Sequence, residues 1–387
     1  MSRVLRRSGT VLLWTVVALC LTATILPGFL DRIYYRGPAS DHFDGRRFFN
    51  PDGEGPELPG GANPGAMLAR RMNGGDAPGA WPAVVDVVPG RPPARASEGA
   101  MLVTWIGHAT MLVQADGLNI LTDPIWSDTA GPFGIGPRRS AAPGVRIRDL
   151  PRIDLILVSH NHYDHMDLAT LGRLWRRDRP IIVTSLGNDS VIAQAGVPAV
   201  ALDWGQRLRV GRGEVIVTRN HHWGSRWFAD RNRALWSSFV VRLPSGNFFF
   251  AGDTGAGDLA WADAAAALGP IRLAAIPIGA FRFTRGQMAS GSHIGPVDAV
   301  EVYRRLGATR AVGMHWGTFR LSSEAWDTPP RMLRLARRCA GVGDGFGTIA
   351  LGRTIALPPV EPRAAPPARA RDAVLACVDA NGGDALR

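Results

Sequence analysis

A chain of 387 residues with 46% hydrophobic side chains is long enough and apolar enough to bury a sizeable core, which excludes a segment too polar to fold unaided. The formal net charge is +11, and because the sequence contains no lysine all 44 basic side chains are arginine. Such a balance suits phosphate-bearing partners (anionic lipid, nucleic acid, a phosphorylated substrate) or reflects genome composition alone, and does not choose among them.

Arg3, Arg6 and Arg7 precede an uncharged, strongly apolar stretch over residues 8–30. A bilayer-spanning helix needs about 20 such residues. A cleaved signal peptide is the rival, but no small-x-small cleavage site is evident and Pro27-Gly28 resembles a helix terminator. The expectation is an uncleaved anchor over residues 1–30 with its arginine end in the cytoplasm. The main domain would then lie on the non-cytoplasmic side of a bacterial inner membrane. Residues 31–99 are rich in Pro, Gly and Arg, a lead-in that wraps or tethers a domain spanning 100–357.

Within that domain, residues 101–106, 111–114 and 118–122 predict three short strands, followed by a long loop over 125–151. Strands follow at 153–158, 181–184 and 214–218, with a helix at 168–177. A hairpin is predicted around Pro244-Ser245-Gly246, then strands at 273–278, 311–314 and 348–357 and helices at 296–306 and 331–339. Many short strands with helices interleaved, in no tidy alternation, suggest two packed sheets with helices outside. Residues 358–387 predict an unstructured, Pro- and Ala-rich tail. Cys20, Cys339 and Cys377 are odd in number and scattered, so neither a disulfide framework nor a cysteine-held zinc is indicated.

The densest chemistry lies in Ser159-His160-Asn161-His162-Tyr163-Asp164-His165-Met166-Asp167, which leaves the end of a predicted strand. The chain has nine histidines and three fall here. Imidazole with carboxylate suits zinc, iron or manganese rather than calcium. His222, Asp253 and His315 each follow another apolar strand. His160 and His162 can meet one metal, completed by His222. Asp164 and His165 can meet a second, completed by His315. Asp253, with two oxygens, is the natural bridge. Two metals about 3.5–4 Å apart sharing a water carry out hydrolysis. Singly, a strand-end histidine or the turn Gly252-Asp253-Thr254-Gly255 reads as structural; together they read as a centre.

His-x-His-x-Asp-His, a distant His before Trp, Gly-Asp-Thr and a final His resemble the metallo-β-lactamase fold. Further stretches resemble one branch, the phospholipase D that hydrolyses N-acylphosphatidylethanolamine and its bacterial relatives. They include Arg46-Arg47-Phe48-Phe49-Asn50-Pro51, Gly107-His108-Ala109-Thr110, Thr122-Asp123-Pro124-Ile125-Trp126, Gly136-Pro137-Arg138-Arg139, Leu235-Trp236 and His315-Trp316-Gly317-Thr318-Phe319. The resemblance implies an α/β fold, a four-layer αβ/βα sandwich of two mixed sheets. It implies His160, His162 and His222 as ligands of one zinc (iron or manganese being the alternatives) and Asp164, His165 and His315 as ligands of a second, bridged by Asp253. It selects His222 over His221. His293 either contacts substrate phosphate or caps the helix at Pro296. His108 and Asp123 either orient ligands or serve as core hydrogen-bonding groups.

The expected activity is hydrolysis of an N-acylphosphatidylethanolamine-like phospholipid to phosphatidic acid and N-acylethanolamine by a dimetal-held hydroxide that Asp164 and Asp253 orient. Arg138, Arg139 and Arg282 are candidates for the phosphate. Trp126, Phe133, Trp223, Trp227, Phe281 and Phe283 are candidates for an acyl groove. The expected partners are phospholipid and membrane, with no nucleic acid and a homodimer as a possible assembly. The rivals are a hydrolase of the same fold acting on a small soluble phosphodiester or lactone, a nuclease, and a membrane protein with a purely structural metal.

Overall fold

Short apolar runs bounded by Gly, Pro and Asp turns form strands because each run can bury both faces only inside a layered fold. The computed structural model describes residues 3–53, 80–227, 229–284, 286–360, 367–383 and 386. Strands β1 (Met101–Gly107), β2 (Thr110–Ala115), β3 (Leu118–Thr122), β4 (Leu155–Val158), β5 (Ile181–Ser185) and β6 (Val200–Leu202) come from the first half. From the second come β7 (Arg207–Val210), β8 (Gly213–Thr218), β9 (Ser238–Arg242), β10 (Asn247–Phe250), β11 (Ile271–Pro277), β12 (Arg310–Met314), β13 (Phe346–Gly347) and β14 (Thr354–Leu357). Among the described residues they build two seven-stranded sheets, ordered β14-β1-β2-β3-β4-β5-β6 and β13-β12-β11-β10-β9-β8-β7. Both sheets mix parallel and antiparallel pairs.

Alternation along β4 shows why both faces are covered. Leu155 and Leu157 join the core between the sheets with Val215, Phe248 and Leu273, which share one face of the second sheet. Ile156 and Val158 point the other way, onto Leu171 and Leu174 of helix α2 (Leu168–Asp178). Asp167 starts α2 by accepting from the amides of Ala169 and Thr170, which satisfies two unpaired donors of the first turn. On the far face of the second sheet, α5 (Pro296–Leu306) packs on β11 and α6 (Thr328–Ala340) packs on α5. Pro begins α5, and Gly307 ends it in the left-handed region, φ 58°. The expected four-layer α/β sandwich of two mixed sheets is therefore what the chain adopts.

The remaining helices are α1 (Arg3–Leu30), α3 (Asn188–Ile192), α4 (Ala260–Ala266) and α7 (Arg371–Val378). Of α1, Arg7–Leu30 is long and apolar enough to cross a membrane, with mean hydropathy 2.1 and no burial inside the protein. The lead-in residues up to Gly53 are packed against the domain: Phe43 and Phe48 are buried with Leu235 and Trp236.

Several expectations need correction. The tail is not unstructured over its described residues, because α7 buries Val374 and Val378 and is joined to α6 by a Cys339–Cys377 disulfide. The same bond corrects the reading of the cysteines as unpaired; a separation of 38 residues, with no repeat of spacing, left no signal. Residues 361–366 lie outside the described residues. The closing strand predicted over 348–357 shrinks to β14, because the chain turns at Gly352 (φ 76°), whose amide binds Trp105 O at 2.8 Å. An added Cβ there would sit 2.4 Å from Gly144 O, so only glycine fits. The edge strands β6 and β7, half exposed, the first only three residues long and the second carrying two arginines, were not predicted.

Candidate metal centre

Strand direction assembles the site. β10, β11 and β12 are parallel, and β8 runs with them because both β8 and β10 are antiparallel to β9. His222, Asp253 and His315 follow β8, β10 and β12, so all three emerge at one edge. β3 and β4 of the first sheet are parallel to each other and deliver Asp123 and the 159–167 loop. The two sheets meet at Gly252, in the left-handed region at φ 61°. An added Cβ would lie 2.7 Å from Ser159 Cβ, so this glycine lets the loop bearing Asp253 touch the loop bearing His160.

The buried groups fall into two clusters. His160, His162 and His222 converge, with His160 Nε2 2.8 Å from His162 Nδ1. His165 Nε2 and His315 Nε2 lie 3.1 Å apart, and 3.0 and 2.9 Å from Asp253 Oδ2. Asp164 Oδ2 lies 3.4 and 3.5 Å from the same two nitrogens. Asp253 Oδ1 and His222 Nε2 are buried without a hydrogen-bond partner.

Neighbouring groups fix the ring orientations. His160 Nδ1 faces Ser159 Oγ at 2.9 Å, and Ser159 Oγ donates to Asp123 Oδ2 at 2.6 Å. His165 Nδ1 lies 2.6 Å from the same Asp123 oxygen, and His222 Nδ1 lies 2.9 Å from Ser292 O. Each outer N–H is thus donated away from the centre, which leaves the Nε2 lone pair facing inward. Burial holds His160 and His222 well below the ordinary histidine pKa and lowers His162 to about 3, so these rings are neutral, as metal ligands must be. Burial opposes ionisation of Asp164 and Asp253, but His165 overcomes it and both stay far below the usual carboxylate range. Burial also disfavours charge on His315, yet Asp253 and Asp164 raise it to about 9. Two carboxylates drawing protons onto crowded imidazoles form a donor set that a cation would satisfy better. The residues present fit a pair of metal ions.

Backbone strain gathers at the same place. His108, Asp123 and His315 have φ of 54°, 30° and 62°, in or near the left-handed region that non-glycine residues seldom adopt. His315 N donates to His108 O at 3.0 Å, locking one strained residue against another. His108 Nε2 lies 2.9 Å from Asp164 Oδ2, and Asp123 serves both Ser159 and His165, so both groups orient site residues. Asp123→Ala is expected to weaken metal affinity or activity about 10- to 100-fold. Competition against a chromophoric chelator measures it, and unchanged affinity together with unchanged turnover would refute the orienting role.

All of the proposed ligands are therefore in the two clusters. His293 joins His222 and Asp253, with Nδ1 3.7 Å from Asp253 Oδ2. It does not cap α5, which has no side-chain cap. His221 sits behind the site, paired with Asp52 at 2.9 Å. Trp223 packs edge-on to His162 at 4.2 Å, and Phe283 lies 5.9 Å from His293. Phe281 is instead fully buried core, and Trp126 packs on the core outside the first sheet. Arg139 is not open to a phosphate, because Ser127, Ile125 and Ala141 carbonyls take its guanidinium. No local pattern marked Ser292, whose carbonyl aims His222, or Asn220, whose amide binds the carbonyls of Ala251 and Asp253. Asn50 was visible only inside a motif; its amide binds His222 O at 2.9 Å.

Residues 118–316 match the model of the Beta-lactamase superfamily domain. The N-acyl-phosphatidylethanolamine-hydrolyzing phospholipase D 1 of Caenorhabditis elegans is 36% identical over 247 residues, covering 61% of this chain and 69% of the relative. A metal-dependent hydrolase of Pyrobaculum neutrophilum is 31% identical over 227 residues, covering 57% of this chain and 86% of the relative. Among solved structures, CmlA, a diiron beta-hydroxylase from Streptomyces venezuelae, superposes with a TM-score of 0.51 at 19% identity, covering 67% of this chain and 54% of that one.

Proposed function

The chain belongs to the Beta-lactamase superfamily and is a metal-dependent hydrolase, and on that premise we propose that it is a phosphodiesterase of phospholipase D type. Its substrate is an N-acylphosphatidylethanolamine-like phospholipid, cleaved to phosphatidic acid and an N-acylethanolamine. The observation that carries this reading is the double cluster bridged by Asp253, taken with the phospholipase relative. In this reading His160, His162 and His222 hold one zinc and Asp164, His165 and His315 the other, with Asp253 shared. Such a pair supplies an acidified water and Lewis acidity toward phosphoryl oxygens. The protein's part is positioning. Asp164, steadied by His108, and Asp253 keep fixed negative charge at the centre. Burial lowers His293 to about 4, so its neutral ring donates an N–H to a phosphoryl oxygen without bringing charge of its own.

Arg7–Leu30 serves as the anchor, and the domain lies on the non-cytoplasmic side. The Cys339–Cys377 disulfide supports that side, since such bonds persist in oxidising compartments.

The test is hydrolysis of N-acylphosphatidylethanolamine in mixed micelles by zinc-loaded protein, with products identified by mass spectrometry. Phosphatidic acid and N-acylethanolamine are expected, with turnover falling to background after chelation and returning with zinc. Turnover of a soluble phosphodiester or a lactone, with none of the phospholipid, would instead establish the small-substrate alternative.

A further inference from the structure

The long loop between β3 and β4 begins at Asp123, beside the metal centre. At its base Arg139 bridges to Phe319, and Phe319 packs edge-on to His108 at 5.3 Å. A bridge between Thr129 and Arg138 closes a narrow excursion whose tip is Pro132-Phe133-Gly134-Ile135. That tip is apolar yet turned outward: Phe133 is 86% exposed and Ile135 73%. Phe133 also holds φ 55°, ψ 26°, a left-handed conformation that costs an aromatic residue free energy and here presents its ring to the outside. An exposed aromatic next to an exposed β-branched residue, on a loop that has a polar base, marks a contact surface.

What covers the tip is settled by its neighbours. Phe133 lies 6.0 Å from Trp227, and Trp227 lies 5.6 Å from Phe29, in the last turn of α1. The Arg32 guanidinium stacks over both Phe29 and Trp227, at 4.2 and 4.8 Å. Asp31, next to the helix end, is held in a two-pronged pair by Arg233 at 2.7 and 2.6 Å. The end of the apolar helix is therefore fixed to the face of the domain that carries the site. If α1 crosses a bilayer, the lipid–water boundary falls at Phe29, Trp227 and Arg32, the residue types that favour that boundary. The tip then meets the same boundary. From Trp227 the chain of residues leads back through the 223–227 loop to Trp223, which rests against His162.

We propose that residues 132–135 form a wedge that inserts into the phospholipid bilayer beside the end of α1 and seats the metal centre against the membrane surface. The partner is the bilayer itself. The proposal rests on the anchoring and lipid substrate given above, and explains how an enzyme tied to a membrane reaches a headgroup without extracting the lipid: Phe133 and Ile135 displace neighbouring acyl chains while the substrate phosphate rises toward His293.

The experiment uses the full chain with Cys20→Ser, which leaves the Cys339–Cys377 bond intact. Phe133→Cys is labelled with an environment-sensitive nitrobenzoxadiazole dye and reconstituted into phosphatidylcholine–phosphatidylglycerol vesicles carrying doxyl-labelled acyl chains. Asp344→Cys is the control: it lies next to β13 at the starting end of β12, opposite the end that bears His315. The label at 133 is expected to shift to the blue and be quenched severalfold more than the label at 344. Equal quenching at the two positions, or none at 133, overturns the wedge. This readout needs no catalysis, so it separates failure of the wedge from failure of the phospholipase reading. In a second arm, Phe133→Ser with Ile135→Ser is expected to lower turnover of vesicle lipid relative to dispersed short-chain phospholipid roughly tenfold, as loss of two buried apolar anchors implies. An unchanged ratio counts against the proposal.

Discussion

Asp253→Asn is expected to lower kcat/KM on the order of 10³-fold, a loss of about 4 kcal/mol of transition-state stabilisation. The size follows from the position of one carboxylate in both clusters. Its Oδ2 lies 3.0 Å from His165 Nε2 and 2.9 Å from His315 Nε2. Its Oδ1 is buried without a hydrogen-bond partner, and the carboxylate also falls in a cluster with His222 and His293. An amide keeps the shape but loses the charge that balances two cations, and it turns an N–H₂ toward nitrogens that have lone pairs to offer. Metal content should fall together with activity. Measurement is by metal analysis of dialysed protein alongside kinetics, with circular dichroism to show that the fold persists. A variant that kept its full metal content and most of its activity would rule out the shared-carboxylate site. His162→Ala, which removes a proposed ligand of one cluster only, should cost activity while leaving part of the metal bound.

Cys377→Ser is expected to destabilise the protein by about 3–4 kcal/mol, with a fall in melting midpoint of roughly 4–5 °C. The bond closes a loop of 38 residues, so its loss restores conformational freedom to the unfolded chain. It also frees α7, whose Val374 and Val378 are buried in the main core. Apart from the bond, α7 is fixed by Arg371, whose guanidinium pairs with Asp298 of α5 at 2.5 and 3.2 Å. Calorimetry with and without reductant checks the prediction: reducing wild-type protein should reproduce the shift, and reductant should do nothing further to the variant. A variant as stable as wild type would show that α7 docks independently of the bond.

The legible elements were those whose residues carry a local reason for their structure. β3 matches its predicted bounds because Asp116-Gly117 before it and Asp123-Pro124 after it are turn signals around a run that is apolar or β-branched apart from Asn119. α5 matches because Pro begins it and glycine follows it. β6 and α7 were missed because their stability comes from what they lie against: β6 from pairing with β5, and α7 from a bond across 38 residues. The long loop after β3 was legible as a loop, but nothing in its residues indicated that its tip stands beside the end of α1.

The centre divides the same way. Ligand chemistry is a property of side chains, so His160, His162, Asp164, His165, Asp253 and His315 could be named as candidates from residue type and their place after apolar strands, while the resemblance selected His222 over His221. Which nitrogen of each ring faces inward could not, because that depends on outer partners brought from elsewhere: Ser159 for His160, Asp123 for His165, and the Ser292 carbonyl for His222. The neutral imidazoles and ionised carboxylates are likewise products of burial and proximity, which no single residue carries. The amino-acid sequence by itself determined which groups can bind metal and which strands end in them. Only the tertiary structure decided that β8, β10 and β12 end on one edge, that Gly252 lets two sheets touch there, and that the end of α1 shares that face. Side-chain chemistry is written locally, whereas convergence depends on strand direction and on contacts between residues far apart in the chain.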